Sequence, residues 1–63
     1  MATYEKELLA ILRANGCVFV REGSRHPIWE SPVNGRRFPV PNTIKSRHTA
    51  NEILKQAGLR KAF

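Results

Sequence analysis

The chain has 63 residues, with eleven Lys and Arg against five Asp and Glu, for a formal net charge of +6. That length sustains one small domain with a modest core, and 41% hydrophobic with 25% charged residues excludes a disordered tail, so all 63 residues are read as a single domain. The basic excess favours a polyanionic partner: nucleic acid, an acidic protein surface or an anionic membrane face.

The first element is expected in "TYEKELLAILRANG", where Tyr4, Leu8, Leu9, Ile11 and Leu12 recur at helical spacing. Thr3 is positioned to cap its start and Gly16 to take the left-handed conformation at its end. The opening "MATYEKELLAIL" carries acids inside its apolar run and so lacks the pattern of a secretion signal. No stretch approaches the ~20 apolar residues that cross a bilayer. These features point to the cytoplasm. A single cysteine, Cys17, allows no internal disulfide and fits a reducing compartment. A small buried hydrophobe is the favoured reading of Cys17 over a nucleophile.

Between Gly16 and Arg47 the period changes. "CVFVRE", "PIWES" and "RRFPV" are β-branched or aromatic runs separated by the turn sequences "EGSR" and "PVNG", which predicts three short antiparallel strands. Asn34-Gly35 signals a hairpin in which both residues take positive φ. Pro39 and Pro41 assign the last strand to an edge, because neither donates to a ladder. The segment "SRHTANEILKQAGL" predicts a second helix with Thr49 and Glu52 as a capping box, Gly58 as terminator, and Ile53, Leu54 and Ala57 on its apolar face. Leu59 and Phe63 are expected to anchor the tail "LRKAF". The order helix, three-stranded meander, helix is an α+β fold whose two helices cover one face of the sheet and leave the other wet.

His26 follows a Gly-Ser turn and directly precedes Pro27. Pro27 disfavours the α conformation at His26, so the histidine is held extended at the mouth of the second strand. An imidazole ordinarily titrates near neutrality and serves as general acid or base. In-line attack of a ribose 2′-OH on its own phosphodiester also builds negative charge on the phosphoryl oxygens, which cations must stabilise. Arg21 and Arg25 are close in sequence, and Arg36 and Arg37 are expected from across the hairpin. Local residues alone leave two readings of His26 open, a solvated turn histidine and a base for metal-free RNA cleavage, the former being the commoner fate of such a residue.

Other constellations are weaker. Ser24 is two residues from His26 with no nucleophile elbow and no orienting carboxylate, which argues against a serine hydrolase. Two histidines 22 positions apart make no ligand set, so no metal and no other cofactor is expected. His48, just ahead of the second helix, is read with Lys45 and Arg47 as a phosphate dock, alongside the alternatives of a solvated side chain and a second acid or base. Trp29 is expected in the core rather than stacked on a base, and the same reading covers Phe19 and Phe38.

Taken together, "NGCVFVREGSRHPIW", "GRRFPVPN" and "EILKQAGL" resemble the HicA family of toxins from toxin–antitoxin pairs. The resemblance spans nearly the whole chain and implies a fold similar to the double-stranded RNA-binding domain. It also implies an mRNA interferase, a metal-independent endoribonuclease that cleaves mRNA and halts translation. The family's catalytic histidine maps onto His26 and its turn onto Gly23 and Ser24. The RNA-binding set of Arg21, Arg25, Arg36, Arg37, Lys45, Arg47 and His48 is an extrapolation beyond that motif. The chain departs from the family at Pro27 and at Asn42, where a histidine is common, which removes one candidate second proton donor. The resemblance further implies a HicB-type antitoxin that masks the active site, no membrane, and contact with DNA only through that antitoxin. A noncatalytic RNA-binding module of the same fold is the alternative; it predicts salt-sensitive binding without cleavage.

Overall fold

The computed structural model describes residues 3–63; Met1 and Ala2, part of the stretch read against a secretion signal, lie outside it. The element order is α1 (Glu5–Ala14), β1 (Val18–Glu22), β2 (Pro27–Glu30), β3 (Arg37–Pro39) and α2 (Arg47–Gln56). The strands form one antiparallel sheet in the order β1-β2-β3, with both helices on one face, as expected from the sequence. β3 is an edge, consistent with Pro39 within it, and no helix is long and apolar enough to cross a membrane among the described residues.

The helical period decides what is buried. Leu8 and Leu12, one turn apart on α1, are fully enclosed, as are Ala50, Ile53, Leu54 and Ala57 on the inward stripe of α2. From the sheet, Trp29 and Phe38 oppose one another on β2 and β3, and Val40 and Ile44 close the core at its end. Cys17 is buried, as a small hydrophobe would be. Among the described residues Ser31 is the buried polar one; its Oγ donates to the Ala57 carbonyl at 2.6 Å and accepts from the Val33 N–H at 3.1 Å. That pairing satisfies the hydroxyl and pins the end of β2 to the end of α2.

Both helices end alike. Gly16 (φ +84°) and Gly58 (φ +76°) take the left-handed conformation expected of them. Gly16 N–H donates to the Arg13 carbonyl and Cys17 N–H to Leu12, while Gly58 N–H donates to Lys55 and Leu59 N–H to Leu54. The starts differ from expectation. Tyr4, not Thr3, is the α1 N-cap and makes no side-chain cap bond; the Thr3 hydroxyl donates to the Glu5 carboxylate instead. On α2 the cap is Ser46, whose Oγ accepts from the His48 N–H at 3.2 Å. Thr49 therefore lies inside the first turn, and the Thr49–Glu52 capping box does not form.

The β2–β3 connection also differs. Only Gly35 has positive φ; Asn34 instead accepts from the Arg36 N–H through its side-chain oxygen and donates to the Gln56 carbonyl. The loop spans Ser31 to Arg36, closed by Gly35 N–H to Ser31 and Ser31 N–H to Arg36, which is longer than a two-residue hairpin turn. The tail is anchored as expected. Phe63 meets Tyr4 edge-to-face at 5.4 Å, and the Asn51 side chain bonds the backbone of Ala62 and Phe63. Leu59 packs against the core.

Candidate active site

The Gly23–His26 turn joins β1 to β2 and is closed by the Gly23 N–H donating to the His26 carbonyl at 2.9 Å. Glycine is needed at its first position: a Cβ there would stand 2.5 Å from that same carbonyl oxygen and 3.1 Å from the Ile28 side chain. Ser24 and Arg25 are exposed and His26 is partly exposed. Among the described residues no side chain hydrogen-bonds the His26 ring. Pro27 opens β2, the one place in a central strand where a missing donor costs no ladder bond, and its carbonyl accepts from Val40 at 2.9 Å.

Register sorts the basic residues into two ends. Arg21 pairs with Ile28 and Glu22 with Pro27, so Arg21 and Arg25 share the His26 end of the sheet. Arg37 pairs with Glu30, four residues past His26 or about 13 Å at strand rise, and Arg36 precedes it. The hairpin therefore carries Arg36 and Arg37 away from His26, contrary to the expectation that they reach the same phosphate. Arg37 is moreover engaged by Glu30 through an exposed ion pair at 3.0 Å.

The helices follow the same polarity. α2 ends beside Ser31 and Asn34, so its start, with the exposed Lys45, Arg47 and His48, lies toward the His26 end. His48 is the second residue of α2 rather than a residue ahead of it, and faces a groove of about 420 Å³ shared with Pro39 and Pro41. α1 likewise starts at this end, where Tyr4 N–H donates to Ile44 and the Glu5 carboxylate accepts from the Ile44 N–H at 2.7 Å. That bond, with the Thr3 hydroxyl, holds the Glu5 carboxyl below the usual carboxylate range.

A β-bulge between Phe19 and Arg21 re-aims β1. Regular alternation would put these residues on one face. The extra residue, Val20, leaves Phe19 beside Trp29 on the helix-bearing face and turns Arg21 to the open face with Ile28. Glu22 returns to the helix side opposite Pro27. Trp29 is buried as expected and lies beneath the Arg13 guanidinium at 5.5 Å, whereas Phe19, expected in the core with it, is 49% exposed. Leu9 and Arg13 of α1 and Val18, Phe19 and Glu22 of β1 line a groove of about 520 Å³ between the two elements. No cluster of three or more His, Cys, Asp or Glu suited to a metal ion occurs among the described residues.

The family described as "HicA toxin of bacterial toxin-antitoxin" matches residues 6–59, from the first turn of α1 through the closure of α2. The chain belongs to the HicA toxin family. As a HicA protein it is the toxin component of a toxin–antitoxin system, and membership implies a HicB-type antitoxin as its partner. No curated protein and no solved structure gives a significant match.

Proposed function

We propose that this HicA protein is a metal-independent endoribonuclease that cleaves mRNA in the cytoplasm, with His26 as the general acid or base. The ribose 2′-OH of the substrate attacks the adjacent phosphorus: the 2′-O–P bond forms, the P–5′-O bond breaks, and the products are a 2′,3′-cyclic phosphate and a 5′-hydroxyl. His26 takes the 2′-OH proton or gives one to the leaving oxygen. Arg21 and Arg25 stabilise the charge that develops on the phosphoryl oxygens. Lys45, Arg47 and His48 hold a flanking phosphate at the start of α2. A HicB-type antitoxin masks this end of the molecule and supplies any contact with DNA.

The observation that carries this reading is the Gly23–His26 turn, a tight, glycine-dependent loop that holds one partly exposed histidine beside two exposed arginines in a HicA chain of net charge +6. The test is incubation of wild-type and His26→Ala protein with a defined mRNA in EDTA, with new 5′ ends mapped by primer extension. Cuts by the wild type alone are expected. Cleavage by His26→Ala overturns the role of His26, and RNA bound but uncut by both proteins replaces the nuclease with a noncatalytic binding module.

A further inference from the structure

The 520 Å³ groove between α1 and β1 takes no part in phosphoryl chemistry, yet it opens beside it. Glu22 and Pro27 line the groove and also flank the Gly23–His26 turn. A ligand seated there is a neighbour of whatever occupies the His26 site. The volume lies within the ~300–1,000 Å³ range of sites that enclose small ligands.

The walls define the ligand. Phe19 presents a half-exposed ring, fixed edge-to-face against Trp29 at 6.4 Å and 77°. Arg13 puts its guanidinium 5.5 Å from the Trp29 ring centre, and Leu9 and Pro41 add apolar surface. Aromatic and guanidinium planes are what stacks an unpaired base in single-stranded RNA. Besides Arg13, whose guanidinium lies over Trp29, the polar residues lining the groove are Glu5, Glu22 and Asn42. Two carboxylates against one guanidinium, itself set over the Trp29 ring, make this a poor place for a phosphate. Glu5 is occupied by Ile44 N–H and the Thr3 hydroxyl, whereas Glu22 has no ion-pair partner among the described residues. A free carboxylate accepts from an exocyclic amino group, and faces unfavourably the carbonyl that uracil carries in its place.

We infer that the Phe19–Trp29–Glu22 groove is a nucleobase subsite, which accepts an unstacked base bearing an exocyclic amino group from the nucleotide next to the cleaved phosphodiester. The inference rests on the ribonuclease reading for its substrate. Phe19 supplies the stacking surface, and Glu22, through the amino group, supplies the choice of base.

Trp29 is the only tryptophan, so its fluorescence reports occupancy of the groove without reference to cleavage. Cytidine 3′-monophosphate and uridine 3′-monophosphate would be titrated into the wild type, His26→Ala, Phe19→Ala and Glu22→Gln, with Val33→Ser as an exposed apolar control outside the groove. Folding is checked by circular dichroism. Cytidine is expected to bind roughly tenfold tighter than uridine in both wild type and His26→Ala. Phe19→Ala weakens both nucleotides by roughly tenfold. Glu22→Gln, which can donate as well as accept, abolishes the preference. Equal binding of the two nucleotides, a preference that survives Glu22→Gln, or no binding of either overturns the subsite. If the preference and its dependence on Glu22 hold while the wild type cuts no RNA, the ribonuclease reading falls and the subsite stands. With His26-dependent cleavage but no preference, the ribonuclease reading stands and the subsite falls.

Discussion

A methyl group at position 23 would collide with the carbonyl of its own turn, 2.5 Å from the His26 oxygen. The contact is to backbone, which cannot swing aside as a side chain would, so Gly23→Ala must open the turn that holds His26. The expected cost is about 1–3 kcal/mol of stability, in the range of other overpacked substitutions. At a temperature well below the variant's unfolding midpoint, RNA cleavage is expected to fall toward the His26→Ala level. Thermal unfolding and primer extension on one preparation separate the two effects. Cleavage at the wild-type rate would show that the closed turn is unnecessary. At this scale the sequence was informative where chemistry is local: a glycine, a histidine and a proline within five residues define the turn by themselves. It misplaced Phe19 in the core and was silent on Glu22, because their facing depends on a bulge at Val20 that is set by pairing with β2.

Helix starts show the same division between local and distant causes. Thr49 with Glu52 has the spacing of a capping box, but Ser46 lies three residues earlier and reaches the free N–H of His48 first. Ser46→Ala is expected to lower stability by about 1 kcal/mol, whereas Thr49→Ala should cost about a few tenths at most. Urea unfolding of both variants decides between the two assignments. α1 uses a distant partner instead. Its Glu5 accepts from Ile44, 39 residues away, and the bond to that N–H followed by the one from Thr3 lowers the Glu5 pKa from 4.5. A carboxyl whose folded pKa is depressed contributes stability that is fully present above its unfolded pKa and lost as pH falls through the folded one. Wild type should thus lose stability relative to Glu5→Gln as pH drops below about 4.5, and the two should converge in acid. Parallel unfolding curves from about pH 7 to about pH 3 test this; a gap independent of pH would deny Glu5 that role. The helices, strands and terminal glycines were legible because period and backbone conformation are written locally. Ser31, Asn34 and Glu5 were not, since each bonds a residue 22 to 39 positions away.

On the scale of the whole molecule, charge is arranged by end rather than by face. Arg21, Arg25, Arg47 and Lys45 gather toward the His26 turn and the helix starts, while Arg36 and Arg37 stand at the opposite end with the helix terminations. The meander predicted from sequence has the right strand order, but proximity across a hairpin depends on which end of the strand a residue occupies. That register was not legible before pairing was known. It yields a prediction that composition alone would not make. If RNA lies across the His26 end, Arg25→Ala should remove a phosphate contact and reduce the slope of log affinity against log salt by about 0.7, the value for one contact to a single strand. Arg37→Ala removes the same formal charge, yet that guanidinium is already bonded to Glu30 and far from the turn. Its slope should stay close to that of the wild type, with affinity reduced only slightly through the weaker general field. Measuring binding of His26→Ala protein, and of that protein with each second substitution, between about 50 and 200 mM salt keeps the RNA intact during the titration. Equal slopes for the two arginine variants would mean that RNA follows the length of the sheet instead of its His26 end, and the phosphate path would have to be redrawn through Arg36 and Arg37.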